Sequence, residues 1–523
     1  MRLSDFDLRQ MDDDWVDRLP PDRLRSALQQ ALKDLKEARD RLNMTPDNSS
    51  CPPGSRAPWE STPQPERDPP EADETNDAGS SNDARSQDDG DQPDTVTRKE
   101  QSKRPRGKQP GAPGHGRMQV LPVTDTCAHR PTVCAACGVP LPGEGSMQAW
   151  TAWDQVDIVP LPAGATGLQL CTTRHTLFEG TCNCGHVTRA VAFRSGDDCQ
   201  WSGTEVAEWR LIGPTLAAMI VMLALRMRLS RARIQEFFDE FIGLSLSTGA
   251  IDQTIREAGR ASGPVEEELV AEIQQAALLY IDETPWKESG HLLWMWTLVS
   301  TTTVLFNIGY RTKEVITNIL ENKFIGILMS DGYVVYRGWE NRLRCWAHLV
   351  RKARGLAEST DARVASIGDQ IMTLFNILMA AIYAARLDPA PECPRRRHAD
   401  TIATLRQICL RHSNDTHDKV RALAVELLID WDVIMRQLDE PSLPLTNNRA
   451  EQALRHWVIS RRISHGTRSA DGSRALALLA SVIETCRLRK VSSWRYLATV
   501  IDAARKGLAP PSLPAGYLLA DGG

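Results

Sequence analysis

Three acidic residues stand where acids could gather around phosphate chemistry. Asp282 closes the apolar run Leu-Leu-Tyr-Ile, Asp331 closes another 49 residues on, and Glu451 follows 120 residues later near the start of a helix. Acids at strand ends sit at the edge of a sheet, where ligands bind in α/β folds. A convergent carboxylate trio offers the oxygen ligands that Mg²⁺ prefers. Two such ions about 3.5–4 Å apart would activate a nucleophile and stabilise a leaving oxygen. Taken singly, each acid is more often a cap or turn residue. A second constellation is made of thiols. Cys134-Ala-Ala-Cys137-Gly and Cys182-Asn-Cys184-Gly are two close pairs, each ending in glycine. Four thiolates suit tetrahedral Zn²⁺, which stabilises a small domain whose core is insufficient. The tighter C-x-C spacing leaves room for His186, Cys127 or His129 to replace one thiolate, and free surface cysteines are the plain alternative.

These residues need elements to hold them. The stretch 278–337 reads as β: Leu-Leu-Tyr-Ile-Asp-Glu-Thr-Pro-Trp, then a hairpin split at Thr301–Thr303, a helix over Thr312–Asn322, and an apolar strand ending Ser-Asp-Gly. Residues 343–438 read almost wholly as helix, broken at Asp388–Pro394. A long helix starts at Asn447, and Ala475–Arg489 and Trp494–Lys506 supply two more. Short strands are expected over Trp150–Val159 and Gly167–Leu170. Arg231–Ile242, a Gly-Leu-Ser-Leu-Ser-Thr turn and Gly249–Ala261 make a helix-turn-helix candidate or an ordinary helical hairpin, with Ser247 or Thr248 as N-cap. Residues 22–43 carry Leu28, Leu35 and Leu42 at heptad spacing, with Leu24, Ala31 and Ala38 as companions. That pattern reads as a short coiled coil or as one helix packed on its own domain.

Composition bounds the rest. The chain has 523 residues, a net charge of −5 and 41% hydrophobic residues, enough for several globular domains. The total charge does not point to nucleic acid, but its distribution is uneven. Glu60–Asp94 holds 12 acids and 2 bases, and Thr97–Arg117 holds seven bases, Arg104, Arg106 and Lys108 among them, and one acid. Residues 45–97, rich in Pro, Ser, Asn and Asp, read as disordered. The basic arm suits phosphate contacts or serves as a solvated linker. From Leu445 to Gly507 there are 12 Lys/Arg, including Arg455, Arg461 and Arg462, against 4 acids, a helical end suited to DNA backbone contacts. The longest apolar runs, Leu211–Leu225 and Ile371–Ala385, have 15 residues each and are interrupted by Pro214 or Asn376. A membrane span needs about 20, so buried helices are expected. The acidic N-terminus lacks a signal-peptide core, and twelve cysteines are too sparse for a disulfide scaffold; the cytoplasm is expected.

Ile-Asp-Glu-Thr-Pro-Trp, Leu-Met-Ser-Asp-Gly-Tyr with Tyr336, Arg-Cys-Trp-Ala-His-Leu-Val-Arg-Lys and Asn-Asn-Arg-Ala-Glu-Gln-Ala-Leu-Arg resemble the DDE transposases of the bacterial insertion-sequence 66 family. Asp47–Pro53 resembles the element behind that family's N-terminal leucine zipper. Arg-Gly-Lys-Gln-Pro-Gly-Ala-Pro-Gly-His-Gly resembles its basic Gly/Pro element, the cysteine pairs its zinc-binding domain, and residues 481–501 its closing helices. The loop after Arg461-Arg462 departs from the family pattern, reading Ile463-Ser464-His465-Gly466.

The resemblance implies a multidomain α/β chain with an RNase H-like catalytic core interrupted by an all-helical insertion. The implied parts are a coiled coil (1–44), an acidic then basic linker (45–117), a zinc-binding domain (118–200) and a helical, helix-turn-helix-like DNA-binding region (201–276). The core (277–352 and 441–507), the insertion (353–440) and a tail (508–523) complete it. It implies Asp282, Asp331 and Glu451 as ligands of two Mg²⁺ or Mn²⁺ ions, and Cys134, Cys137, Cys182 and Cys184 as ligands of a structural Zn²⁺. Asn447 and Asn448 would cap or orient the Glu451 helix, and Cys345 and His348 would brace the insertion or a DNA contact. Implied partners are double-stranded DNA (transposon ends and target), further copies of the chain, and small accessory proteins, with no membrane. A catalytically defective relic or DNA-binding regulator is the alternative. A housekeeping nuclease is disfavoured by the zipper, the basic arm and the basic C-terminal helices.

Overall fold

The computed structural model describes residues 20–42, 119–159, 166–191, 210–321, 323–389 and 391–515. Its helices and strands all belong to one compact unit, residues 1–55 and 121–523. The basic arm with Arg104, Arg106 and Lys108, and the Asp47–Pro53 element, lie outside the described residues. The N-terminal helix α1 (Pro21–Leu42) presents Leu24, Leu28, Leu32 and Leu35 to solvent.

The first sheet contains β1 (Asp125–His129), β2 (Gln148–Val159), β3 (Gln169–Thr181) and β4 (Val187–Arg189). The central β3 pairs parallel with β1 and antiparallel with β2 and β4. The expected short strand at Gly167–Leu170 is thus the start of a 13-residue one. Asp157 fastens this sheet to the next helix, α2 (Pro214–Leu225). Its Oδ1 accepts from the Leu216 amide at 2.7 Å, serving as an N-cap that no local motif announces. Because α2 is apolar all round, it is buried through Leu216, Ala217, Ala218, Ile220 and Val221.

Next comes α3 (Arg231–Phe237), which relaxes into a π turn over Phe238–Ile242 and ends at left-handed Gly243. In α4 (Thr248–Ala261), the Ser247 hydroxyl caps the Ala250 amide at 3.1 Å. The two helices follow one another as the helix-turn-helix expectation requires. However, α4 buries Ile251, Thr254, Ile255 and Ala258, and Gly259 lies so close to Ala475 that a Cβ there would come within 2.5 Å of the alanine's own. Gln253, Arg256 and Arg260 remain on its exposed side. Helix α5 (Val265–Gln274) leads into the second sheet.

That sheet has the order β7-β6-β5-β8-β9, with β5 (Leu278–Glu288), β6 (His291–Val299), β7 (Val304–Gly309), β8 (Ile327–Ser330) and β9 (Arg342–Arg344). The first three form an antiparallel meander, and β8 and β9 run parallel to β5. Helix α6 (Lys313–Leu320) makes the crossover. Strand β9 takes only the first two residues of the stretch expected to be almost all helix from residue 343, and the helices follow from Trp346 with the expected break before Pro394. Arg342 and Arg344 resemble surface residues in sequence, but both are buried. Arg342 Nη2 reaches Asp430 Oδ1 at 2.7 Å, Arg344 Nε lies 3.1 Å from Asp430 Oδ2, and Arg344 also pairs with Glu426. Buried charges persist only when paired in this way.

Those acids belong to a helical layer: α7 (Trp346–Ala357), α8 (Ala362–Leu387), α9 (Pro394–Arg397), α10 (Ala399–His412), α11 (Asp418–Ile429) and α12 (Trp431–Asp439). They share a core of their own around Trp346, Phe375, Leu405, Leu423 and Ile434. Among the described residues, α8 alone is long and apolar enough to cross a membrane; Val364, Ile371, Phe375, Leu378 and Ile382 bury one face of it in this core, and Ile377, Tyr383 and Leu387 are exposed. The chain then returns through α13 (Asn448–Ser464), α14 (Ala470–Leu488) and α15 (Ser493–Arg505) to the main core. Ser481 and Thr485 of α14 accept from the Phe306 and Val304 amides at 2.8 and 3.0 Å, covering the open edge of β7. Such an edge is otherwise a site for unwanted strand pairing.

Candidate active site and cysteine cluster

The register between β5 and β8 brings two acids together. Their last pair is Tyr280 with Met329. Asp282 and Asp331 each lie two residues beyond it: Asp331 stands just past the end of β8 as expected, whereas Asp282 does not close its strand, because β5 runs on to Glu288 in its pairing with β6. Pairing between the two strands stops there, which opens a gap between β5 and the carboxyl end of β8. Cys345 occupies the equivalent place after β9, where its amide donates to Ser330 O at 2.9 Å. Tyr333 N donates to Asp331 Oδ1 at 2.9 Å, orienting that carboxylate.

Helix α13 crosses the same end of the sheet. Asn447 stands at its N-cap position, but its side chain does not cap the helix. Instead Nδ2 donates to Ile281 O at 2.7 Å, and its backbone amide reaches Cys345 Sγ at 3.2 Å. A fully buried asparagine therefore ties the helix to the residue just before Asp282. Asn448 is exposed. One turn into the helix, Glu451 N donates to Asn447 O at 3.2 Å, and Glu451 comes within reach of the other acids' fields. Burial, then the charge of Asp331, then Glu283 and Glu451, push the Asp282 carboxyl well above its usual range. That crowding of negative charge is what a bound cation would relieve. The donors are carboxylate oxygens, which fit a hard divalent ion.

Cys345 and His348 also converge here: Cys345, His348 and Glu451 offer ligand atoms within 4.8 Å of one another. Burial, aided by Arg351, Arg344 and Lys352, lowers the His348 pKa to about 3. The imidazole 3.9 Å from Glu451 Oε1 is therefore a neutral neighbour. The cation nearest Glu451 is Arg351, with Nη2 at 3.4 Å.

Several residues to which the sequence assigns no role contribute here. Glu283, next to Asp282, is buried and is bonded by the Tyr336 hydroxyl and by Arg311 Nε at 3.0 Å. The Arg311 guanidinium lies 4.1 Å from the Trp294 ring centroid and 3.9 Å from that of Tyr333. Gly332 follows Asp331 for a steric reason. A Cβ there would stand 2.6 Å from Glu426 Oε1 and would collide with the Arg344 guanidinium. Of the expected DNA-contacting arginines, Arg455 and Arg462 are exposed. Arg461 is directed inward, with Nη1 on Thr284 Oγ1 at 2.9 Å and on Pro285 O.

The four cysteines form a separate cluster in the first sheet, their sulfurs all within 4.8 Å. Cys134 and Cys184 sulfurs are 3.7 Å apart, and those of Cys137 and Cys182 are 3.6 Å apart. Tetrahedral Zn–S bonds of about 2.3 Å place sulfurs about 3.8 Å apart. Each pair ends in a tight turn at a glycine with positive φ, Gly138 at 70° and Gly185 at 85°. These turns point backbone amides and thiols the same way, as a metal knuckle requires. His186 is exposed; Cys127 and His129 stand with His175 in a different group.

Comparison with known proteins bears on the same segment. A profile described as "Transposase IS66 family" matches residues 210–475, just over half of the chain. Uncharacterized protein y4jO of Sinorhizobium fredii is 27% identical over 187 residues, 35% of this chain and 55% of that protein. Uncharacterized proteins y4qI and y4jD of the same organism are each 24% identical, over 37% and 39% of their own lengths. The chain thus spans about half or less of these relatives. The matched segment contains Asp282, Asp331, the helical layer and Glu451, and the chain belongs to the IS66 family of transposases.

Proposed function

We propose that this chain is a DDE transposase that cuts the ends of its own element and joins them to target DNA. The observation that carries the reading is the shared position of Asp282 and Asp331, two residues beyond the last β5–β8 pair, with Glu451 fastened alongside through Asn447 and Ile281. An antiparallel meander followed by two parallel strands supports an RNase H-like core. The separate helical core between β9 and α13 supports an insertion within it.

In this reading Asp282, Asp331 and Glu451 hold two Mg²⁺ or Mn²⁺ ions. When bound, such ions acidify a nucleophilic oxygen and neutralise charge on the leaving one. The side chains form no covalent intermediate. A water oxygen bonds to phosphorus at the element boundary as the P–O3′ bond breaks, and the leaving 3′ oxygen takes up a proton. The freed 3′-OH then attacks a target phosphodiester in a second in-line displacement, forming a new P–O3′ bond as the target's own P–O3′ bond breaks, with the attacking hydroxyl's proton lost and the departing 3′ oxygen taking one up. Asn447 keeps Glu451 in place, and Tyr333 N keeps Asp331 turned toward the gap. Neutral His348 and Cys345 pack behind Glu451 as positioning residues. The four cysteines hold Zn²⁺ as a structural knuckle. The first sheet and the exposed arginines Arg455 and Arg462, with the basic arm, contact the DNA ends. Exposed leucines on α1 suit pairing with a second copy, as synapsis of two ends requires. Accessory proteins and a location beside the nucleoid follow from the same reading.

The test uses end-labelled duplexes carrying the DNA that flanks the coding sequence, with Mg²⁺ and any neighbouring accessory proteins. A nick leaving a 3′-OH at the element boundary is expected. Hydrolysis of arbitrary duplex without end preference would replace the reading with a general nuclease. End binding with no cleavage, in vitro or in a cellular transposition assay, would replace it with a regulator.

A further inference from the structure

A second group of metal-ligating side chains lies in the first sheet, apart from the four thiols. Parallel pairing sets Cys127 of β1 beside His175 of β3. His129, two residues after Cys127, faces the same side of the sheet. One ligand atom from each of the three lies within 4.8 Å of the other two. His129 Nε2 and His175 Nδ1 are 3.0 Å apart. Trp153, opposite His175 on β2, stacks on its ring at 4.3 Å and 10° and fixes the ring plane. His175 Nε2 is buried and has no hydrogen-bond partner.

We propose that Cys127, His129 and His175 form a second metal site for a Zn²⁺-like ion, with one coordination position left to water. One thiolate and two imidazoles are a borderline-soft donor set that suits Zn²⁺. Two nitrogens bound tetrahedrally at about 2.0–2.1 Å stand about 3.3 Å apart, close to the spacing of the two rings. The stacked tryptophan plays the part that outer-shell groups play elsewhere, holding a ligand ring at one angle. The four-thiol cluster is complete without these residues, so the two sites are independent. Three protein ligands leave one position open, in contrast to a closed Cys₄ knuckle.

The experiment counts Zn²⁺ per chain in the full-length protein, saturated with Zn²⁺ and then dialysed against metal-free buffer. Wild type is expected to retain two ions and Cys127→Ala one, while Cys134→Ser/Cys182→Ser loses the other. Wild type and Cys127→Ala retaining the same number of ions overturns the proposal. If Cys127→Ala loses every ion, Cys127→His, which keeps a ligand, decides: the wild-type count supports the second site and a lower count overturns it. The count does not depend on whether the chain cleaves DNA, so this proposal and the transposase reading fail separately.

Discussion

Asn447 is the test of whether the α13 anchor matters for chemistry. Its side chain is fully buried, with one strong donor contact, Nδ2 to Ile281 O at 2.7 Å. Asn447→Ala removes that bond and leaves a buried carbonyl less well satisfied, a loss of about 1–3 kcal/mol. At roughly 2–4 °C per kcal/mol for a large domain, the melting temperature should fall by about 2–12 °C. The effect on rate is expected to exceed the effect on folding. Glu451 lies one turn from the lost anchor, and a misplacement of about 1 Å can reduce rate about 10²-fold. Cleavage of the labelled ends, measured well below both melting temperatures, should therefore drop by about two orders of magnitude while DNA binding persists. Asn448→Ala, at the exposed neighbouring position, should change stability by less than about 0.5 kcal/mol. A destabilised Asn447→Ala that still cleaves at the wild-type rate would refute the positioning role. An unchanged melting temperature would refute the bond itself.

Other perturbations have signs fixed by the same geometry. Asp282 has a raised carboxyl pKa in the folded chain, so the metal-free native state binds more protons than the unfolded one, and its stability falls as pH rises from about 4 through the folded value. Asp282→Asn should flatten that fall and raise the metal-free melting temperature at neutral pH while abolishing cleavage; a lower melting temperature there would contradict the crowding argument. Gly332→Ala forces a Cβ toward Glu426 and Arg344, with an expected loss of about 1–3 kcal/mol by overpacking, read from the urea midpoint, together with loss of cleavage. Arg344→Met takes one cation from Asp430 and Glu426, which keep Arg342 at 2.7 Å and Lys352 at 2.6 Å respectively, and should destabilise by about 1–3 kcal/mol, seen in the same urea titration. Chelation of the four-thiol site, or Cys134→Ser, should release one Zn²⁺ and reduce amide protection in the Cys134–Gly138 and Cys182–Gly185 turns, measured by hydrogen exchange.

Local pattern carried much of this architecture into the sequence. Apolar runs ending in acids mark β5 and β8, the Thr301–Thr303 break marks the β6–β7 hairpin, and Ser247 caps α4 as its type and place suggest. The two cysteine pairs advertise a knuckle because both the thiols and the glycine turns are local. What pairwise geometry decides is not visible in this way. Nothing in the chain announces that Tyr280 pairs with Met329, yet that register aligns Asp282 with Asp331. Arg342–Arg344 reads as a polar, exposed stretch until Asp430 and Glu426 arrive from about 85 residues away. The asparagine pair before Glu451 suggests a cap, whereas Asn447 bonds to a strand 166 residues earlier. His175 has no metal motif around it; only β1–β3 pairing brings it to Cys127.

The central claim is that Asp282, Asp331 and Glu451 act as one metal-holding set for DNA strand cleavage. Asp282→Asn, Asp331→Asn and Glu451→Gln, each compared with wild type on labelled element ends in Mg²⁺ or Mn²⁺, test it most directly. The account predicts that each amide abolishes both nicking and strand transfer and leaves end binding intact. Metal-dependent cleavage by Asp331→Asn at a rate near wild type would contradict it.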